Sequence, residues 1–555
     1  MSNRIGKRIF VPFLSGITLI CSAGSSAQTA PNAGRIIQEL EQPPLRPKAD
    51  REFPSLAPPA REDLTPGGAA VAIRSVQLDG NSAFSSTILL GQLGDVTGTK
   101  LDLAGMRALA EKIAAYYRSH GYPFTRAYIP AQDISQGDLR IQIVEGRYGR
   151  VMPGGEPALQ KGASRFLRAL RPGNAIEAAS LERVMLLLDT EPGMRVSPTM
   201  APGAQRGQGD LTANIERVAR FGAEIGVDDE GDRYTGMYRE KVSAYAYSPF
   251  MFGDLITLRG IHTNQNMWLG SLDYERPLNG TGLRGHVGYS HTTYELGGQF
   301  EALGASGYAS TAVTGVSYPI VRSRQRNLLV AFDYQYESLQ DRYTAIGTVD
   351  NKHCNCWPLT VQFDNRDAFL GGGLTYGALI LTSGTLHLDS ALASVDAATA
   401  RTAGAFEKLN LDVSRLQAIS EHVNLMVRYA AQLTNKNLDS SEQFNLGGVY
   451  GVRAYPVGEG IGDRGWLLQA ELRYIVDDFV PYVLFDAAHG QTNVHTWDSA
   501  SDTQRSLTGA GLGSRYNHGP WALDASAAWH IRGGRAIADP KDVNPRIWIS
   551  AGYHF

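Results

Sequence analysis

The sequence predicts a mainly β protein: a C-terminal sixteen-stranded antiparallel transmembrane β-barrel, preceded by two small α/β modules and an N-terminal helix. Three observations carry this reading. From residue 219 to residue 555, runs of about ten residues alternate between apolar and polar side chains, as strands do with lipid on one face and water on the other. Past the N-terminal leader no apolar run reaches the ~18–20 residues of a membrane-spanning helix, so a membrane crossing by the mature chain would use strands. Between residues 71 and 218, a strand–helix–strand–strand plan is written twice, an internal repeat.

The leader comes first. Arg4, Lys7 and Arg8 precede the apolar run Ile9 to Ile20, and "SAGSSAQ" supplies small residues at Ser25 and Ala27, so residues 1–27 read as a secretory signal peptide. Cleavage there removes those three cations and no acid, taking the formal charge from −3 to −6. Cys21 follows Ile20 where a lipoprotein signal needs a small residue, which argues against lipidation. Residues 28–42 contain "PNAGRIIQELEQ", a short amphipathic helix capped by Asn32, with Ile36, Ile37 and Leu40 on one side, or else an incidental turn in a tether. Seven prolines then make residues 43–70 an extended linker.

In the first module, residues 71–146, "VAIRSVQLDGN" reads as a strand. A helix follows with Leu103, Met106, Ala110, Ile113 and Tyr117 at spacings of three and four, stopped by Gly121. "TRAYIPA" and "DLRIQIVEG" are further strands. The second module, residues 147–218, repeats this with a strand near Tyr148, helices around Ala163–Arg171 and Leu181–Asp189, and strands "MRVSPTM" and "DLTANIERV".

Across residues 219–555 the alternation is explicit. Leu328, Val330, Phe332, Tyr334 and Tyr336 oppose Asn327, Asp333 and Gln335; Trp466, Leu468, Ala470, Leu472 and Tyr474 oppose Gln469, Glu471 and Arg473. The last run sets Ile547, Ile549, Ala551, Tyr553 and Phe555 on one face. At roughly twenty residues per strand and loop, this length holds sixteen strands. A soluble sandwich would also alternate, but with turns every ~8–12 residues and protected edges.

One segment stands apart. "NLGGVYGVRAYPVGEGIGDRGW", Asn445 to Trp466, is too glycine-rich for a helix or a strand, yet carries Arg453 at its centre with Tyr455, Glu459 and Asp463 nearby. With "GVRAYP" the chain resembles the outer-membrane transporters of two-partner secretion, the hemolysin secretion/activation family of barrels with polypeptide-transport-associated (POTRA) domains. The resemblance covers essentially the whole mature chain. It implies that 28–42 is a plug helix, that 71–146 and 147–218 are POTRA domains, and that 219–555 is the barrel. It also implies that Val452, Arg453 and Tyr455 tip a large extracellular loop that folds back into the lumen. There the arginine would pair with Asp486 of "YVLFDAAHG", which alternation with Val483 and Phe485 turns inward. Ala454 replaces the family's usual glycine, and its methyl restricts the loop tip. Phe555 matches the terminal aromatic signal read by the barrel-assembly machinery.

The implied function is export of a secreted exoprotein, such as an adhesin or hemolysin, whose N-terminal secretion domain the POTRA pair captures by strand addition in the periplasm of a Gram-negative cell. The alternative is a barrel-assembly or insertion factor, whose relatives carry more POTRA modules. The acidic balance excludes a strongly basic nucleic-acid binder. No nucleotide loop is present, since "GDVTGTK" lacks the Gly-x4-Gly-Lys spacing. Neither a catalytic set nor a cofactor motif can be assembled, so no enzyme activity and no cofactor are expected. "HCNCW" offers His353, Cys354 and Cys356 at a spacing poor for a metal site, and is expected to be an extracellular loop with a tight disulfide or free thiols. "VDDEGD", Asp228 to Asp232, is expected to be a solvated turn rather than a calcium site.

Overall fold

The computed structural model describes residues 30–40, 47, 69–499, 501 and 503–555. The expected signal peptide with Cys21, and nearly all of the proline-rich linker, lie outside them. Among the described residues no helix is long and apolar enough to cross a membrane.

Sixteen antiparallel strands close into a barrel. They run from Phe221–Asp228 to Arg546–His554, and these two join at a seam that pairs Ser550 with Asp228 and His554 with Glu224. Large apolar side chains fill the outer face: Leu272, Phe332, Val483, Leu512 and Ile547 all project outward, which is stable only against lipid. The inner face is polar and heavily ion-paired. Strand length varies widely. Phe221–Asp228 has 8 residues, whereas Thr348–Asp367 has 20, about twice the 9–11 that a bilayer needs. The middle of the barrel therefore rises well beyond the hydrocarbon at the end remote from the α/β modules.

The two modules share one topology. In the first, Ser75–Asp79 runs parallel to Asp138–Val144, with Arg126–Tyr128 antiparallel on its other side. In the second, Arg147–Gly155 runs parallel to Gln208–Arg217, with Met194–Pro202 antiparallel. In each, two helices cover one face of the sheet and build a separate apolar core around Tyr117 and Leu139 or Phe166 and Leu211. The structure adds a short helix, Ser86–Gly91, capped by the Ser85 hydroxyl, and splits the first expected strand into Val71–Ala72 and Ser75–Asp79. Glu145 joins the modules. Its carboxylate accepts from Ser82 N at 2.6 Å, Ala83 N at 2.8 Å, Tyr117 Oη at 2.9 Å and Arg147 Nη2 at 2.8 Å. Burial pushes that carboxyl up, but these donors outweigh it and hold it below the usual range.

The second module sits on the barrel mouth. Arg284 reaches Glu191 at 2.9 Å, and Arg183 donates to the Pro319 carbonyl at 2.6 Å. The Phe252 ring, from a barrel turn, packs 5.8 Å from Phe166 in the module core. This fixes the module end of the barrel and, by alternation of the turns, the far end.

Candidate functional site

The strands Val423–Thr434 and Arg464–Tyr474 are paired neighbours in the barrel wall, yet residues 435–463 separate them. This segment enters from the far end and folds back into the lumen. It is held there from tip to base.

At the tip, Arg453 is 4% exposed and Asp486 is fully buried. Asp486 Oδ2 accepts from Arg453 N at 3.0 Å and Nε at 2.9 Å, and Oδ1 accepts from Nη2 at 2.7 Å. The guanidinium also donates through Nη1 to Glu471 Oε1 at 2.5 Å. Glu471 is shared with Arg473 at 2.6 Å and Arg515 at 2.9 Å, and Arg515 passes on to Asp524 at 2.5 Å. Three arginines thus face three carboxylates. A buried guanidinium needs such neutralisation, and the bidentate geometry supplies it with direction.

The backbone of the tip is pinned as well. Trp548 Nε1 donates to Arg453 O at 2.8 Å, His530 Nε2 to Ala454 O at 2.7 Å, and Arg428 to Tyr450 O at 2.8 Å. Tyr455 is fully buried, stacks on His530 at 4.2 Å, and donates its hydroxyl to Arg532 O and Gly534 O, each at 3.0 Å. Val452 is fully buried in the apolar cluster with Leu446, Leu467 and Leu484.

Ala454 does not strain the tip. It is absent from the residues with left-handed backbone, and its methyl occupies space opened by Gly509 on the facing strand. A Cβ at Gly509 would come 2.6 Å from Ala454 Cβ. Gly509 in the wall leaves the space that the Ala454 methyl fills.

Nearer the base, Glu459 is fully buried and accepts from Ile537 N and Ala538 N, each at 2.8 Å, and from Arg505. Asp463 accepts from Leu438 N at 3.1 Å and Gln443 Nε2 at 2.8 Å, tying the loop to itself.

The helix Ala33–Leu40 lies against this loop inside the barrel. Asn32 caps it, accepting from Arg35 N at 3.0 Å. Ala33 N donates to Asp341 Oδ1 on the wall at 2.8 Å. Ile36 is fully buried among Tyr234, Met267 and Tyr294, with Ile37 and Leu40 half-buried beside it. Gly458 has a left-handed backbone with the Arg35 guanidinium laid directly over it, where any Cβ would collide. Arg35 reaches Asp232 only at 3.8 Å, and its Nη2 has no hydrogen-bond partner among the described residues.

Two expectations are corrected here. The acidic run is not a solvated turn: Asp228 and Asp232 are buried, Asp228 bonded to Arg239 at 2.6 Å and Asp232 facing the helix. Turn-like residues face a filled lumen rather than bulk water. "HCNCW" is not a loop either. It lies within the strand Thr348–Asp367, both cysteines inward and buried as free thiols, with His353 on the opposite face against His387. Phe555 is exposed at the seam, its N–H donating to Ala223 O at 2.8 Å.

Sequence reasoning missed Glu471, Arg515, Glu459 and Arg505 as partners. Glu471 carried a signal, since alternation already turned it inward two residues from Gln469, the register partner of Asp486. Arg515 and Arg505 carried none.

Residues 207–516 match the family profile of the haemolysin secretion/activation protein ShlB/FhaC/HecB, and residues 71–146 match the POTRA domain, ShlB-type. The heme/hemopexin transporter protein HuxB of Haemophilus influenzae is 26% identical over 549 residues, 96% of each chain. The outer membrane transporter CdiB-2 of Burkholderia pseudomallei is 23% identical over 400 residues, 69% of this chain and 66% of its own. Among solved structures, CdiB from Escherichia coli superposes with a TM-score of 0.69 at 18% identity, covering 94% of this chain and 95% of that one. BamA from Haemophilus ducreyi, lacking POTRA domains 1–3, gives 0.51 at 13% identity over 88% of this chain and 100% of that one.

Proposed function

The chain belongs to the haemolysin secretion/activation family, and we propose from its geometry that it exports one partner exoprotein through a lumen closed at rest by two inserts. It is an outer-membrane transporter of two-partner secretion, with its POTRA domains in the periplasm. HuxB and CdiB-2 are both named as transporters. The observation that carries the mechanism is a closed barrel whose lumen holds a clamped re-entrant loop and a separate short helix, with two sheet-bearing modules at one mouth.

In this reading the secretion domain of the partner, an extended N-terminal segment, adds to a free sheet edge of the modules; Met194–Pro202, nine residues long, is the longest antiparallel edge among them. The chain then threads unfolded between wall and loop. Val452, Arg453, Tyr455 and Asp486 keep the loop tip in position, and Ile36, Ile37 and Leu40 seat the plug. Lipid holds the outer face, and Phe555 at the seam marks the strand for the barrel-assembly machinery.

The test is deletion of the gene in its own cell, followed by proteomics of medium, periplasm and outer membrane. Loss of one large exoprotein from the medium, with other outer-membrane proteins at normal levels, is the expected result. A general fall in outer-membrane barrels would instead make it an assembly factor.

A further inference from the structure

Cys354 and Cys356 sit two residues apart on one strand, so both side chains point to the same, lumenal face. They are 0% and 1% exposed. Facing them is Glu442 of the re-entrant segment: Cys356 Sγ lies 3.6 Å from Glu442 Oε1. The two sulfurs and a carboxylate oxygen all lie within 4.8 Å of one another. An ion bound to sulfur at about 2.3 Å needs its tetrahedral sulfurs about 3.8 Å apart, within reach of a small side-chain adjustment.

The surroundings suit such a site. Glu442 keeps its other oxygen on Lys408 Nζ at 2.7 Å, and its carbonyl accepts from Gln432 Nε2 at 2.8 Å, so the carboxylate is held in place from behind. Glu337, the register partner of Cys354 on the next strand, is buried on the same face. Leu386, Phe406 and Leu438 pack with the two cysteines in one buried apolar cluster. Two thiols and a carboxylate in a buried pocket are the donors of a thiophilic d10 cation, not of magnesium or calcium, which take oxygen cages.

We propose that Cys354, Cys356 and Glu442 form a Zn2+ site that staples the re-entrant segment to the barrel wall. Binding replaces two S–H bonds by two Zn–S bonds and releases two protons per ion, with no change of oxidation state. The staple lies on the far-end half of the lumen, separate from the Arg453 clamp, so it would fasten the base of the loop while Arg453 fastens its tip.

The experiment uses the full mature chain in detergent, reduced with a phosphine and desalted after exposure to Zn2+. One zinc per chain should remain, with two protons released on binding, and Cd2+ should give the ultraviolet charge-transfer band of a thiolate complex. Cys354→Ser/Cys356→Ser should retain none while staying heat-modifiable on a gel, which shows an intact barrel. Glu442→Gln should weaken binding by at least about tenfold, the scale of losing a metal-site support. Zinc should slow proteolysis of residues 435–463 in the wild type and not in the double variant. The proposal is overturned by equal zinc retention in the double variant, or by no retention while both thiols react with a thiol reagent. It is equally overturned if protein taken directly from membranes, before reduction, carries these cysteines as a disulfide.

Discussion

The lumen holds two inserts, and they are held very differently. The re-entrant loop is fixed by a fully neutralised network of buried charges with contacts of 2.5–3.0 Å, by Trp548 and His530 on its backbone, and by Glu459 at its base. The helix Ala33–Leu40 has eight residues and one seated isoleucine; among the described residues it makes one hydrogen bond to the wall, is tied to the loop by Gln38 to Ser441 O and by Ser440 to Asn32 at 2.8 Å, and has an ion pair to the wall stretched to 3.8 Å. An isolated helix of that length is marginal in water, so once undocked it has little to keep it folded. An unfolded passenger needs room in this pore. The cheaper way to make room is to release the helix and leave the loop in place.

That contrast can be broken or sharpened by substitution. Arg453→Ala strips buried Asp486 of its guanidinium while Glu471 keeps Arg473 and Arg515, a loss of roughly 3–5 kcal/mol for a buried pair. Secretion should fall steeply, and protease should begin to cut near Tyr455 while the barrel stays heat-modifiable. Ile36→Ala truncates the helix's fully buried isoleucine, costing about 2–5 kcal/mol of docking. The energy is similar and the outcome opposite: planar-bilayer conductance should rise while secretion persists.

Smaller in scale, Gly509→Ala drives a methyl into Ala454 and should cost about 1–3 kcal/mol of loop packing by crowding. Combining it with Ala454→Gly should restore secretion. Rescue in that pair tests whether the Ala454 methyl fills the space left by Gly509, because two independent defects would simply add.

The smallest effect on the pore should come from Glu145→Gln between the modules. Because Glu145 titrates below the usual carboxylate range, its contribution is present above the unfolded pKa and is lost as pH falls through the folded one. Proteolytic resistance of residues 71–146 in the full chain should fall on acidification in the wild type, and should be lower at neutral pH and less pH-dependent in the variant.

How much of this was legible in the sequence follows from what each side chain faces. Strands with lipid on one side and water on the other write their period plainly, so Leu468, Leu472, Val483 and Phe485 could be assigned outward and Asp486 inward. The Arg453–Asp486 approach followed from a motif plus that alternation. The remaining partners did not, because Arg505 and Arg515 lie at the two ends of one strand, Gln504–His518, and local alternation does not reveal its register against the strand that carries Asp486 or which carboxylates it will meet. The cysteines were misplaced for a related reason. Thr348–Asp367 extends beyond the bilayer, where its outer face meets water, so His353 points out, Cys354 points in, and the lipid rule no longer applies. The acidic run Asp228–Asp232 looked solvated because nothing local reveals that Arg35, nearly two hundred residues earlier, comes to meet it.

The claim that helix and loop part company during export is most directly tested by thiol accessibility in secreting cells. With Cys354 and Cys356 replaced by serine, Ala33→Cys and Val452→Cys are each exposed to a small hydrophilic maleimide, with and without expression of the partner. Both positions are fully buried at rest. Cys at 33 should become reactive only when the partner is being exported, and Cys at 452 should stay protected throughout. Labelling of both together, or of 452 alone, would contradict that claim.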